Sequence, residues 1–286
     1  MIFIRVIMII EVFAMERIVE LIKYMFLGVV QGITEILPVS SSGHLVLFQH
    51  IFDLRLPGLG FEMFTNMASL IALILFFRKD VWALVVGDFL YVFKKDQTQK
   101  PFFQYSLKLL IAVIPIGITG LLFKDYMEQY KTLLSVGIAL MVTGVLLFTI
   151  YKKSVSDNGK EDITYLDALT IGLFQSVAIL PGVSRSGSTL IGGLFRKISI
   201  KSLLKFSFLC YIIVSIPTSM LSLIDLSNAG ESIDIVGYIL AFVVTFVVTY
   251  ATAKLVMQKL KTKHLLYFSI YVGTVGMLAL ISYLIF

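Results

Sequence analysis

Three ionisable side chains stand inside otherwise apolar sequence, each at or beside a cluster of small polar residues. Glu35 and His44 flank Pro-Val-Ser-Ser-Ser-Gly at residues 38–43, and Arg185 lies within Pro-Gly-Val-Ser-Arg-Ser-Gly at residues 181–187. A charge near the centre of a bilayer costs about 2.5–3.5 kcal/mol on insertion scales, so each is expected to face a partner or a water-filled cavity. If the two clusters meet, a carboxylate, an imidazole and a guanidinium share one pocket with Ser40, Ser41, Ser42, Ser184, Ser186, Ser188 and Thr189. Each cluster ends in Ser-Gly before a new helical arm, which aims free backbone N–H groups and the positive end of a helix dipole at the pocket. Two such termini, an arginine capable of bidentate contact and a row of hydroxyls suit an anion, phosphate best of all. Glu35 and His44 add acid–base capacity, and Ser41 is a candidate nucleophile if a neighbouring base activates it. A carboxylate among phosphate oxygens also points to a divalent cation, Mg²⁺ or Ca²⁺, with Glu35 as its ligand. The plainer alternative is a structural Glu35–Arg185 ion pair, with the serines capping half-helices.

The elements that must position these residues follow from the hydropathy. Of 286 residues, 58% are hydrophobic and only 15% charged, with a mean hydropathy of +0.94. A soluble domain carries about a quarter charged residues, which argues against a soluble enzyme and for an all-α polytopic membrane protein. The net charge of +6 fits basic loops facing an anionic leaflet, with no nucleic-acid partner. The single cysteine, Cys210, allows neither an internal disulfide nor a zinc site. Neither GxxxxGK[ST] nor HExxH occurs, which removes nucleotide P-loops and zinc hydrolases of that type. Six stretches are long enough to span: about 60–77, 102–123, 132–151, 203–224, 235–253 and 265–286. Lys94, Lys95 and Lys100 in one joint, Arg196, Lys197 and Lys201 in a second, and Lys254, Lys259, Lys261 and Lys263 in a third place those three joints inside. The acidic joint with Asp225, Glu231 and Asp234 then lies outside, as does 124–131, while 152–166 lies inside. The stretch 81–93, with Trp82 and Asp88, reads as an interfacial helix, and residues 1–14 as an uncleaved interfacial or fraying extension.

Two regions, 18–56 and 167–195, do not fit that scheme. In each, an apolar run of only about 12–15 residues is cut by the polar cluster, too short to cross alone, which predicts a re-entrant helical hairpin. The two regions align without gaps at an offset of 172 − 28 = 144 residues, GVVQGITEILPVSSSGHL over GLFQSVAILPGVSRSGST. Gly28/Gly172, Gln31/Gln175, Val39/Val183, Ser40/Ser184, Ser42/Ser186 and Gly43/Gly187 are identical pairs. Each half is therefore expected to be a re-entrant hairpin plus three transmembrane helices, an odd number of crossings that inverts the second half relative to the first. The expected organisation is a single membrane domain, 1–286, with an N-terminal extension (1–17), repeat 1 (18–151) and repeat 2 (152–286). The tips should meet at the midplane.

QGITE followed by PVSSSGH, with PGVSRSGST in the second half, resembles the undecaprenyl-diphosphate phosphatases of the bacitracin-resistance type. The resemblance implies a bacterial plasma-membrane enzyme that hydrolyses undecaprenyl diphosphate to undecaprenyl phosphate and inorganic phosphate. That reaction recycles the lipid carrier for cell-wall synthesis. It also implies a polyprenyl diphosphate partner within the bilayer, a site facing outside, and a homodimer as a further expectation. The family's [E/Q]xxxE motif falls on Gln31 and Glu35, its serine cluster and histidine on Ser40, Ser41, Ser42 and His44, and its second motif on Ser184, Arg185, Ser186 and Thr189. Glu35, Ser41, His44 and Arg185 are thereby expected to be catalytic, the other six to bind substrate. Position 31 is Gln where some members carry a second acid, which leaves Glu35 as the one acidic ligand. Asn66 stands where Gln or His is expected.

Inverted repeats with broken helices also characterise secondary transporters, so a transporter or flippase for a phosphorylated lipid or anion is the rival reading. Ser41 and His44 favour hydrolysis, because anion transport needs the arginine and the dipoles but no nucleophile. A non-catalytic phospholipid-binding scaffold is the third reading. His50, His264 and Asp88 read as interfacial or solvated, and Glu62 as an acid at a helix N-terminus.

Overall fold

A computed structural model describes residues 2–54, 60–153, 159–228 and 234–285, without the side chains of 2–12, 124–125, 127–128 and 222–228. Within them lie helices α1 (Ile2–Thr34), α2 (Ser41–Ile51), α3 (Gly60–Phe76), α4 (Arg78–Lys94), α5 (Lys100–Gln129) and α6 (Leu133–Lys153). The second half holds α7 (Tyr165–Ser176), α8 (Arg185–Phe195), α9 (Ile200–Asn228), α10 (Ile235–Lys259) and α11 (Leu265–Ile285). No strand occurs among the described residues; the one β feature is an isolated parallel bridge between Lys160 and Ile198. Backbone satisfied within each helix is what lipid demands. Helices α5, α6, α9, α10 and α11 are each long and apolar enough to cross a membrane. Pro115 in α5 and Pro217 in α9 are accommodated inside the helix, as membrane helices allow.

The span expected at 60–77 is the 17-residue apolar helix α3, which the chain leaves at Phe77 to turn into α4. One expectation needs correction. The N-terminal extension and the first hairpin arm are not separate: α1 is one helix of 33 residues. Nothing between Ala14 and Leu27 breaks a helix, and the charges in that stretch are partnered. Arg17 donates to Asp234 at 2.7 and 2.6 Å and to Glu20 at 2.9 Å, while Lys23 donates to the Phe52 carbonyl at 2.9 Å. Residues 154–158 of one predicted joint, and Glu231 of another, lie outside the described residues.

Close approach of small residues joins the helices, as it must where lipid offers no hydrophobic drive for association. Antiparallel α6 and α11 pack through Gly137 beside Gly276, and Ser269 Oγ donates to the Gly144 carbonyl at 2.8 Å. Helix α1 runs parallel to α10, where a Cβ on Gly28 would fall 2.7 Å from the Ala241 carbonyl oxygen. Its counterpart Gly172 does the same for α7 and α5: a Cβ there would fall 2.6 Å from the Ala112 carbonyl oxygen. Each arm before a break is thus seated on a helix from the other half of the chain.

One end of the bundle is laced by basic side chains. Lys160 and Arg196 donate to the fully buried Asp167 carboxylate at 2.5 and 2.7 Å, and Lys205 donates to Asp80 at 2.5 Å. Asp167 also closes a capping box with Thr164 at the start of α7. On α4, Trp82 and Phe93 are each 70% exposed, an apolar surface of the kind that sits in an interface.

Candidate active site

The segments 35–40 and 177–184 break the helical backbone, and the side chains around the two breaks touch. Glu35 leaves the C-terminal end of α1 with its side chain only 7% exposed. Its Oε1 accepts from Arg185 Nη2 at 2.7 Å, and its Oε2 from Ser41 Oγ at 2.5 Å and Gln31 Nε2 at 3.0 Å. Ser41 and Arg185 are the first residues of α2 and α8, so both half-helices start at one carboxylate. Ser186 Oγ ties the second break to the first by donating to the Leu37 carbonyl at 2.8 Å.

The caps explain why the chain restarts where it does. Ser40 Oγ accepts from Gly43 N at 3.3 Å and Ser184 Oγ from Gly187 N at 3.0 Å, the same N-cap bond at matched positions. Ser40 lies within 3.4 Å of Ser42 and Ser184 within 3.2 Å of Ser186, hydroxyl to hydroxyl. The turns differ in one respect: Ser40 adopts φ 69°, whereas in the second break Gly182 carries the positive φ. A non-glycine residue held there stores about 1–3 kcal/mol of strain, which surrounding contacts must over-determine.

Arg185 has partners besides Glu35. Its guanidinium carbon lies 4.3 Å from the centre of the Tyr211 ring, a cation–π geometry, and its Nη1 reaches Ser215 Oγ at 3.5 Å. Tyr211 in turn donates its hydroxyl to Asn66 Oδ1. Tyr211 and Ser215 were not singled out from sequence, although a signal was present. Ser207, Tyr211, Ser215 and Ser219 recur every four residues in apolar α9 and are all buried, a polar stripe on one face.

Of the residues expected from sequence, Gln31, Glu35, Ser41 and Arg185 form one hydrogen-bonded group. Ser40 and Ser184 cap, Ser42 stands beside Ser40, and Ser186 bridges the breaks. Thr189 lies behind them, fully buried, 2.5 Å from Ser207 Oγ. His44 is turned elsewhere. Its Nδ1 donates to the Ser40 carbonyl at 2.8 Å, Nε2 meets the Tyr271 hydroxyl at 2.9 Å, and the two rings stack with centres 5.5 Å apart. No hydrogen bond links it to Glu35, Ser41 or Arg185. A carbonyl only accepts, so the bond to Ser40 keeps the proton on Nδ1.

For a divalent cation, the described residues include no group of three or more His, Cys, Asp or Glu side chains. One carboxylate is present, and beside it Gln31 Oε1 is a buried acceptor without a partner. That pair fits a cation brought largely by phosphate oxygens, in the way Mg²⁺ binds through one or two carboxylates plus substrate phosphates.

The family model for bacitracin resistance protein BacA matches residues 24–278. The chain belongs to that family. The match to BacA takes in both breaks and every residue of the Glu35 group. The chain is 46% identical over 283 residues to the undecaprenyl-diphosphatase of Acholeplasma laidlawii, covering 95% of this chain and 100% of that one. It is 41% identical over 270 residues to undecaprenyl-diphosphatase 1 of Bacillus cereus, covering 93% and 99%. A third relative, the undecaprenyl-diphosphatase of Oceanobacillus iheyensis, is 36% identical over 272 residues.

Proposed function

We propose that this BacA-family protein is an undecaprenyl-diphosphate phosphatase, releasing inorganic phosphate and undecaprenyl phosphate. The single observation that carries the reading is the Glu35 carboxylate, which holds the Ser41 hydroxyl at 2.5 Å and the Arg185 guanidinium at 2.7 Å. A hydroxyl hydrogen-bonded to a carboxylate that other groups orient is the arrangement of nucleophile and base. The names of its relatives supply the substrate class.

Arg185 and the N-termini of α2 and α8 bind the terminal phosphate, exchanging part of the guanidinium's bond to Glu35 for phosphate oxygens. Glu35 then takes the proton of the attacking hydroxyl, that of Ser41 or of a water in its place, as the anhydride P–O bond breaks and undecaprenyl phosphate leaves. Where Ser41 attacks, water then hydrolyses the phosphoserine, releasing inorganic phosphate and returning the proton to the serine. Negative charge that builds on the phosphoryl oxygens faces the guanidinium and the backbone N–H groups. Gln31 keeps the carboxylate oriented. His44 is a positioning residue: it anchors the Ser40 carbonyl, and so the start of α2, to α11. Glu35 and Gln31 Oε1 would hold a divalent cation accompanying the diphosphate, which would neutralise phosphate charge.

The two halves are related as an inverted repeat, a reading supported by the matched caps at Ser40 and Ser184 and the matched close approaches at Gly28 and Gly172. The protein resides in the bacterial plasma membrane with its site open outward and the polyprenyl tail lying between helices in the lipid. Phosphate release from undecaprenyl diphosphate by the purified protein tests the function, with Ser41→Ala, His44→Ala and Arg185→Ala alongside. Normal turnover in all three variants would overturn the assignment of the site. Lipid transport in liposomes without any phosphate release would overturn hydrolysis in favour of a flippase.

A further inference from the structure

Lys131 and Glu62 form an ion pair that the phosphatase reading does not use. Both side chains are 18% exposed, so the pair is mostly withdrawn from water, where an ion pair contributes little net stability. Its position is set from two directions. Glu62 is four residues before Asn66 on α3, hence one turn, about 6 Å, away on the same face. Asn66 accepts from Tyr211, on whose ring Arg185 stacks. Lys131 lies five residues before Val136, the residue that abuts both the start of α2 and the second break. A Cβ on Gly43 would touch the Val136 side chain at 3.3 Å, and one on Gly182 would fall 2.9 Å from its Cα. Both lines place the pair one layer above the Glu35 group, between α3 and the α5–α6 loop. The Asp80–Lys205 bond lies beyond the opposite end of α3, at the basic end of the bundle.

We propose that Lys131 is a substrate-binding residue at the mouth of the site, holding the lipid-bearing phosphate while Arg185 holds the terminal one. Glu62 serves as the internal carboxylate that keeps the ammonium in place between turnovers. A diphosphate enters with its terminal phosphate first, because the polyprenyl chain stays in the lipid. The second phosphate is then left one layer higher, within reach of a long, flexible cation. Lysine suits this exchange, since its ammonium is a point charge that moves between oxygen partners without a fixed fork geometry. The outcome is preference for a diphosphate over the monophosphate product. A monophosphate bound at Arg185 leaves Lys131 with Glu62 and gains nothing from it.

The proposal rests on the phosphatase reading, and the experiment separates the two. Initial rates of phosphate release are measured on the full-length protein in bilayer nanodiscs, over a range of undecaprenyl diphosphate, with inorganic pyrophosphate and orthophosphate as competitors. Lys131→Gln is expected to raise KM about tenfold with kcat within about twofold, and to narrow the advantage of pyrophosphate over orthophosphate. Glu62→Gln, which frees the lysine, is expected to leave KM unchanged or lower it, and Lys131→Arg to retain a KM near that of the parent. A pair that merely braced α3 against the α5–α6 loop would make Lys131→Gln and Glu62→Gln equivalent. Equal changes in the two variants, or an unchanged KM in Lys131→Gln, overturn the proposal. Arg185→Ala is the control: if it turns over normally the active-site reading itself fails, whereas an inactive Arg185→Ala beside an unaffected Lys131→Gln removes only the mouth assignment.

Discussion

Replacing Gly172 by alanine puts the structure to a direct test, because the residue is remote from chemistry and its cost is steric. The new Cβ would sit 2.6 Å from the Ala112 carbonyl oxygen and 3.0 Å from its Cα, both backbone atoms that no rotamer change can move. Ordinary van der Waals contact begins at 3.4 Å, so α7 and α5 must part by about 3.4 − 2.6 = 0.8 Å. The C-terminal end of α7 leads into the break that carries Arg185, and the shift is passed to a guanidinium held 2.7 Å from Glu35. A misplacement of about 1 Å costs on the order of 100-fold in rate, so kcat for phosphate release should fall about 30- to 100-fold. Gly28→Ala, at 2.7 Å from the Ala241 carbonyl oxygen, should behave alike through α1 and Glu35. Gly117 and Gly120 have nothing within 4 Å of an added Cβ, so Gly117→Ala and Gly120→Ala should be silent. Purified variants are compared by kcat and by thermal melting in the same detergent. A Gly172→Ala protein with kcat within twofold of its parent, or no different from Gly117→Ala, would refute the link between that close approach and the site.

Three further outcomes follow from the same geometry. Glu35→Gln keeps the shape but removes the charge that Ser41 and Arg185 share; phosphate release should drop at least about 100-fold, the usual loss with a general base, and a smaller drop argues that another group takes the proton. Chelation by excess EDTA should abolish turnover, with Mg²⁺ or Ca²⁺ restoring it; retained activity removes the cation from the mechanism. Asp234 is held below the usual carboxylate range, chiefly by the hydrogen bond from Arg17. Because the folded pKa is the lower one, its contribution to stability is present above the ordinary value of 3.8 and is lost as pH falls through the folded value. Asp234→Asn should therefore melt earlier than its parent at neutral pH, with the gap closing on acidification below about pH 4; a gap independent of pH contradicts that origin.

Much of this was legible in residue order. A helical membrane protein follows from the excess of apolar residues, and the two breaks follow from Pro, Ser and Gly clusters that cut apolar runs short. Glu35, Arg185 and the serines were identifiable because an ionisable residue in such a run has few other uses. The limits are equally specific. That α1 runs on unbroken from the extension was not legible, because the partners of Arg17 and Lys23, Asp234 and the Phe52 carbonyl, lie elsewhere in the chain. His44 looked like a companion of Glu35 from proximity in sequence, yet it sits on the fourth position of α2 and faces Tyr271.

What the sequence determined alone is which stretches are long and apolar enough to cross, where the chain breaks and which polar groups the breaks carry, since those depend on local hydropathy and local hydrogen bonding. Tertiary structure decided which groups meet. Glu35 finds Arg185 across 150 positions, Tyr211 finds Asn66, and Lys131 finds Glu62. In lipid the outward and inward faces of a helix are both apolar, so periodicity does not mark the packing face as it does in water. The register comes instead from places where a missing side chain lets two backbones touch, as at Gly28 and Gly172, and that complementarity exists only once the helices are together.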